Sequence, residues 1–263
     1  MGLIKEFIKH SFAHYKTSNF YLADDTFNES EKKLKEFEEA VAQLEFKPSF
    51  CCYARLDLLI KFPNMINLLK NIGVKGIAFG IETFHAKAGL TIGKGTPPEK
   101  VKAFLLDLKS RHPDLYLSSG FIIGLPHEPL ESCYETNEWL MKEKVLDSWN
   151  FNPLAIDNQL LNPNPSEFSK NIEKYDYVRK GNFGWQREGL DFEQAGQHSI
   201  TLNQAAYDHS GPSPWILFGM LRKHTFESIR HIKISKLSSR LDIEKFDLYK
   251  RKLGLNLALV QAN

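Results

Sequence analysis

The stretch GIAFGIETFHAKAGLTIGKGTPPE, residues 76–99, decides the fold. Ile77, Ala78 and Phe79 form an apolar run that ends in Gly80-Ile81-Glu82, so a buried strand stops on a carboxylate and sets that charge at the rim of a sheet, where a ligand can use it. A loop holding Gly93-Lys94-Gly95 follows. Behind it Thr96 and Glu99 have the spacing of a capping box, and Pro97 suits the first helical position. Strand, acid, glycine loop and helix predict one β/α unit.

The same alternation repeats outward in both directions. Upstream, Leu3, Ile4, Phe7, Ile8 and Phe12 recur at helical spacing, residues 19–23 read as a strand ending at Asp24-Asp25, and Asn28 with Glu31 suits the start of a helix carrying Leu34, Phe37, Val41 and Leu44. Pro48 ends that helix. Phe50, Cys52, Ala54 and Leu56 then alternate with Cys51, Tyr53, Arg55 and Asp57, a strand with two usable faces. Met65, Leu68, Leu69 and Ile72 build a helix that Gly73 closes in a left-handed cap. Downstream come a helix with Val101, Phe104, Leu105 and Leu108, a strand over 115–124 that leaves through Leu125-Pro126-His127-Glu128, a helix through Trp139 and Leu140, and a last strand over 148–154.

Five strands separated by helices predict an α/β fold with a parallel sheet, either a barrel or a doubly wound sheet. Asp24, Asp25, Arg55, Asp57, Glu82, Glu128 and Asn152 all fall at or just past strand C-termini, the rim where β/α barrels bind their ligands. The alternation also calls for a strand ahead of the first helix, and the sequence begins with the helix.

Composition bounds the function classes. A chain of 263 residues can bury a full core as one large domain, or as one domain with an appendage. With 42% hydrophobic and 25% charged residues it has the balance of an ordinary globular protein. A net charge of +2 gives no global pull toward nucleic acid. No apolar run approaches the roughly 18 residues of a membrane span, and the N-terminus reads as a helix rather than a signal peptide, so a cytoplasmic location is expected. Cys51, Cys52 and Cys133 offer neither a disulfide framework nor a metal-ligand spacing.

In order and spacing, Asp24-Asp25-Thr26-Phe27-Asn28, Tyr53-Ala54-Arg55-Leu56-Asp57, Gly80-Ile81-Glu82-Thr83, Gly93-Lys94-Gly95 and the run Gly120-Phe121-Ile122-Ile123-Gly124-Leu125-Pro126-His127-Glu128 resemble the radical SAM superfamily. The likeness is nearest to its cobalamin-associated and methylthiotransferase-like branch and covers roughly residues 1–155. It implies a partial β/α barrel, lacking here the first strand, with residues 156–263 as a mainly helical appendage that covers the open side. It also implies S-adenosylmethionine as cofactor, beside a four-iron cluster whose three soft thiolates leave one iron free for the methionine end. The family's C-x-x-x-C-x-x-C loop is absent from this chain. Carried over by position, Asp24 and Asp25 would meet the methionine amino group, Arg55 would hold a carboxylate and Glu82 would bind the ribose hydroxyls. Ile122 would lie against adenine, with Gly120 and Gly124 allowing close approach, and Asn152, Pro153 and Leu154 would offer backbone contacts to the same ring.

Each of these residues also has a plain structural reading. Asp24-Asp25 suits a turn before a helix, Glu82 suits a rim ion pair with Arg55, Gly93-Lys94-Gly95 suits a simple turn, His127 suits a surface loop, and Cys51 and Cys52 suit small strand positions. Farther on, Asn162-Pro163-Asn164-Pro165 and Gly211-Pro212-Ser213-Pro214 read as loops. Residues 222–252 hold ten Lys or Arg against four Asp or Glu, the pattern of a solvated helical face before that of a partner or RNA surface.

Three functions follow as expectations. The first is part of a radical SAM-type enzyme, contributing S-adenosylmethionine and substrate contacts while a separate polypeptide carries the cluster segment. The second is a non-catalytic derivative that keeps the rim as a nucleoside or partner site. The third is a barrel enzyme using rim Asp, Glu and His with a divalent metal, for which the histidines lack a compact ligand set.

Overall fold

A long apolar helix face followed by a short apolar strand recurs down the chain, and each pair folds as predicted. The computed structural model describes residues 2–156, 167–181 and 184–210. In order these give α1 (Gly2–Tyr15), β1 (Asn19–Leu22), α2 (Glu31–Ala42), β2 (Ser49–Ala54), α3 (Leu56–Lys61), α4 (Met65–Ile72), β3 (Val74–Glu82), α5 (Ala86–Thr91), α6 (Pro98–Arg111), β4 (Tyr116–Ile123), α7 (Leu130–Glu143) and β5 (Ser148–Pro153). The five strands form one sheet in sequence order, and every pairing is parallel. A parallel sheet with its crossover helices is consistent with a partial α/β barrel.

Alternation along the strands divides the sheet into two unlike faces. Phe50, Cys52, Ile77, Phe79, Leu117, Phe121 and Phe151 enter the core under the helices. The opposite face is small or polar, with Tyr53 beside Ala78, Ala78 beside Ser118, and Gly120 beside Asn150. Such a face leaves room for a ligand.

Two local devices shape the rim. The β3–β4 register breaks between Phe79 and Glu82, and Ser119 repairs the break, its hydroxyl donating to the Phe79 carbonyl at 2.9 Å and accepting from the Ile81 amide at 3.3 Å. Gly73 ends α4 at φ 101°, where a side chain would stand 2.6 Å from the Pro48 carbonyl oxygen.

Three boundaries differ from the sequence reading. Helix α6 begins at Pro98 with Pro97 as its cap and no side-chain cap bond, because a residue that precedes proline is driven out of the helical region and Pro97 takes ψ 139°. The Thr96–Glu99 capping box does not form. Strand β2 stops at Ala54, since α3 starts two residues on. The cap of α2 is Ser30, which accepts from the Lys33 amide. Asn28, read as part of that helix start, is instead fully buried and ties down Arg55, accepting from its amide at 2.7 Å and donating to its carbonyl at 2.9 Å. Replacing Asn28 by alanine strands the Arg55 amide and leaves its carbonyl only the Leu59 amide at 3.4 Å, and is expected to cost about 2 kcal/mol. A urea midpoint no lower than that of the parent chain would remove this role for Asn28.

Beyond β5 lie α8 (Glu167–Lys170), a 3-10 turn (Ile172–Tyr175), a small antiparallel sheet of β6 (Val178–Lys180), β7 (Gly184–Arg187) and β8 (Leu190–Asp191), and α9 (Phe192–Ser210). The region is helical as expected, except for this sheet, whose strands are too short to show a period. Helix α9 closes the outer edge of β5: Asn203 accepts from the Phe151 amide at 2.7 Å, while Ser199 and Asn203 donate to its carbonyl at 2.7 and 2.8 Å. At the far edge, β1 pairs with β2 and with no other described strand. Above it α1 buries Ile8 and Ser11 and exposes Leu3, Phe7 and Tyr15. No described helix is long and apolar enough to cross a membrane. The predicted loops over 162–165 and 211–214 and the basic stretch 222–252 lie outside the described residues.

Candidate functional site

Three successive strand ends meet at one cavity of about 610 Å³, bounded outside by the turns around α5 and the start of α6. Asp25 follows β1, Arg55 follows β2 and Glu82 ends β3, and all three line it. Tyr53, Asp57, His85 and Lys94 are among the other polar residues of its wall.

Glu82 is the most constrained of these residues. Its backbone sits at φ 69°, a left-handed conformation that costs a side-chain-bearing residue of order 1–3 kcal/mol and that concentrates at ligand sites. The conformation folds its carboxylate back over its own strand. A side chain on Gly80 would stand 2.8 Å from Glu82 Oε1 and 3.4 Å from Lys94 Nζ, so it would push the Glu82 carboxylate and the Lys94 ammonium aside from this arrangement. Lys94 Nζ donates to the Gly80 carbonyl at 2.6 Å and lies 3.8 Å from Glu82 Oε1. Burial pushes the Glu82 carboxyl above its ordinary value, and the Lys94 ammonium opposes the shift. The loop read as a simple turn thus carries a cation onto the rim.

Arg55 grips Asp57 with two bonds, Nε to Oδ1 at 3.1 Å and Nη2 to Oδ2 at 2.5 Å, and this holds the Asp57 carboxyl below its ordinary value. The rim ion pair therefore runs Arg55–Asp57 and Lys94–Glu82, not Arg55–Glu82. Asp24 and Asp25 have separate places. Asp24 Oδ1 accepts from the Thr26 amide at 2.9 Å and Oδ2 pairs with Lys33 at 2.8 Å, which lowers its pKa and makes it a turn device, while Asp25 faces the cavity.

Ile122 and Asn152 are register partners on β4 and β5 and do not line this cavity. At their end of the rim the small sheet has docked. Trp185 lies directly on Gly124, its Nε1–H donating to the Leu154 carbonyl at 2.6 Å, and the Tyr177 hydroxyl donates to the Gly124 carbonyl at 2.6 Å. Beside them Glu128 is buried, its Oε1 accepting from Thr83 at 2.7 Å and from Ser132 at 3.1 Å while its Oε2 has no partner. Burial pushes the Glu128 carboxyl up to about 7, opposed by those two bonds and by Arg187. The sequence reading gives no site role to Tyr53 or Lys94, which stand in its motifs, or to His85. Tyr53 was findable, since alternation sets it on the face of Ala78, whereas nothing local marks the Lys94 reach-back.

The thiols do not fit an iron–sulfur cluster. Cys51 and Cys52 are adjacent on β2 and so point to opposite faces, Cys133 lies on α7, and all three are buried. Burial pushes the Cys51 thiol up to about 12 and raises the other two as well, the reverse of what a thiolate ligand needs. Among the described residues no group of three or more His, Cys, Asp or Glu is placed to hold a metal.

No family model matches the chain, and no curated protein matches it in sequence. Solved structures do. Archaeal Methanocaldococcus infernus Elp3 with an N-terminal deletion is similar at a TM-score of 0.51 and 14% identity, over 78% of this chain and 48% of that one. Coproporphyrinogen III oxidase (HemN) from Escherichia coli, a radical SAM enzyme, gives 0.48 and 12% over 71% and 48%. The radical S-adenosylmethionine methyltransferase TsrM from Kitasatospora setae, with tryptophan and a SAM analogue, gives 0.45 and 15% over 56% and 29%. This chain spans about half the length of the Elp3 chain. At such identities the likeness concerns the fold alone.

Proposed function

We propose that the chain is the barrel portion of a radical SAM-type enzyme, in which the rim holds S-adenosylmethionine and an iron–sulfur segment comes from outside these residues. The observation that carries this reading is the convergence of Asp25, Arg55 and Glu82, from three successive strand ends, on one cavity of about 610 Å³, the size of an ordinary small-molecule site. Asp25 suits an ammonium group by charge pairing, and Arg55 suits a carboxylate once it releases Asp57. Glu82, held over Gly80 at the end of β3, suits the paired hydroxyls of a ribose. In such enzymes the cluster supplies an electron to the sulfonium, and the protein orients and shields the cofactor. The outer edge of β1 is where a further parallel strand would dock, by backbone pairing and by covering the apolar face of α1.

A second reading, a non-catalytic derivative that keeps a nucleoside or partner site, is favoured by the contact of Trp185 with Gly124. Calorimetric titration with S-adenosylmethionine tests the first reading. Saturable binding is expected, weakened about tenfold by Asp25→Asn and by Glu82→Gln but not by Asp24→Asn, because Asp24 is spent on the turn. Equal affinity in all four proteins, or no binding at all, would remove it.

A further inference from the structure

We propose that Glu128 sets, through Thr83, the hydrogen-bonding sense of the rim cavity: the wall accepts a ligand's N–H or O–H while this carboxyl is ionised, and offers a ligand its own O–H once the carboxyl is protonated. Glu128 thereby decides which groups of a cofactor the site prefers, on the reading above that the cavity is a cofactor site.

Thr83 follows Glu82 and lines the cavity, while Glu128 does not line it and is only 3% exposed. The Thr83 hydroxyl joins the two, donating to Glu128 Oε1 at 2.7 Å. A threonine hydroxyl has one proton and two lone pairs. The proton is spent on Glu128, and one lone pair accepts from the His85 amide at 2.8 Å. One lone pair remains, so with Glu128 ionised Thr83 can only accept from a ligand.

Protonation of Glu128 reverses this, because the proton has one good place to go. Oε2 is buried with no hydrogen-bond partner among the described residues, and an O–H there would stay unsatisfied. On Oε1 the proton points at Thr83, and the same oxygen still accepts from Ser132 at 3.1 Å. Thr83 then accepts twice, from Glu128 and from the His85 amide, and its own proton is free for a ligand. Burial pushes the Glu128 carboxyl up to about 7, so both states are populated near neutral pH. The titratable and charged groups that face it are Arg187 on β7, Cys133 on α7 and Tyr177 ahead of β6. Burial raises the Cys133 thiol and the Tyr177 phenol well above their ordinary values, so neither ionises in this range, and Arg187 is the charge that opposes the shift of Glu128.

The test is calorimetric titration with S-adenosylmethionine, a cation with several N–H and O–H donors, at about pH 5 and about pH 8. The proteins are the full-length parent, Glu128→Gln, Thr83→Val and Thr83→Ser, with near-UV circular dichroism to check folding. Burial also raises the Glu82 carboxyl, which adds the same pH dependence to all four, so they are compared with one another. The gain in affinity from the lower to the higher pH is expected to be about tenfold larger in the parent and in Thr83→Ser than in Glu128→Gln and Thr83→Val, the worth of one charge-assisted hydrogen bond. In Thr83→Val the carboxyl still titrates, so its urea midpoint should still fall as pH rises while the binding gain is lost. If Thr83→Val does not fold, Glu128→Gln against the parent carries the test. An equal gain in every folded protein would overturn the role of Glu128 and leave the cofactor reading standing. No binding to any folded protein at either pH would overturn both.

Discussion

Replacing Gly124 by alanine is expected to destabilise the chain by about 2–6 kcal/mol, from two costs that add: overpacking at about 1–3 kcal/mol and a left-handed backbone forced on a residue with a side chain at about 1–3 kcal/mol. The new methyl would meet the Trp185 ring at 2.3 Å. The ring has little freedom to retreat, since its N–H is held by the Leu154 carbonyl and its plane packs against Tyr177 with centroids 5.2 Å apart. Thermal unfolding should move down by ten degrees or so, at roughly 2–4 °C per kcal/mol for a chain of this size. Part of the loss should vanish in a Trp185→Ala background, because the clash is then gone while the backbone strain remains. A Gly124→Ala protein with unchanged melting temperature would mean that Trp185 does not pack on Gly124.

The second large effect concerns pH. The Glu128 carboxyl is pushed up to about 7 in the folded chain, chiefly by burial, from an ordinary 4.5. An acid whose folded pKa is raised binds its proton more tightly when folded, so stability is highest below about 4.5, falls as pH rises from about 4.5 to about 7, and levels off above that. The full span is about 3 kcal/mol. Glu128→Gln keeps an acceptor for Thr83 and Ser132 and cannot ionise. It should match the parent near pH 4.5 and exceed it by up to about 3 kcal/mol at pH 8, read from urea midpoints at each pH. Parallel stability profiles for the two proteins would show that Glu128 does not carry a buried titration.

The sheet was legible because its signal is periodic and local. Phe50, Cys52 and Ala54, or Ile77, Phe79 and Ile81, face one way only in a strand, and burying them fixes both the element and its register. Gly73 was legible for the same reason, as a left-handed cap needs glycine wherever it occurs. What escaped reading depends on short pieces or distant partners. Helices α3 and α5 have six residues each, less than two turns, so no apolar stripe can repeat. The start of α6 moved because Pro98 acts on the conformation of Pro97, a steric effect that outweighs the capping spacing of Thr96 and Glu99.

The candidate site was legible in part. A carboxylate that ends a buried strand announces a rim, which gave Glu82 and Asp25, but sequence order alone could not separate Asp25 from Asp24. That separation comes from Lys33, nine positions away from Asp24, and from the Thr26 amide. Lys94 crosses fourteen positions to reach the Gly80 carbonyl, and Trp185 reaches Gly124 from a different sheet altogether. Contacts of this range leave no trace in local pattern, so they could be seen only in the folded chain.

Hydrogen–deuterium exchange of the full-length chain with and without saturating S-adenosylmethionine is the most direct test of a cofactor site on this rim. Slowed exchange confined to peptides spanning Tyr53 to Asp57 and Gly80 to Thr96, and lost in the Glu82→Gln protein, is expected. Unchanged exchange in those peptides at saturation, or protection found only elsewhere in the chain, would contradict it.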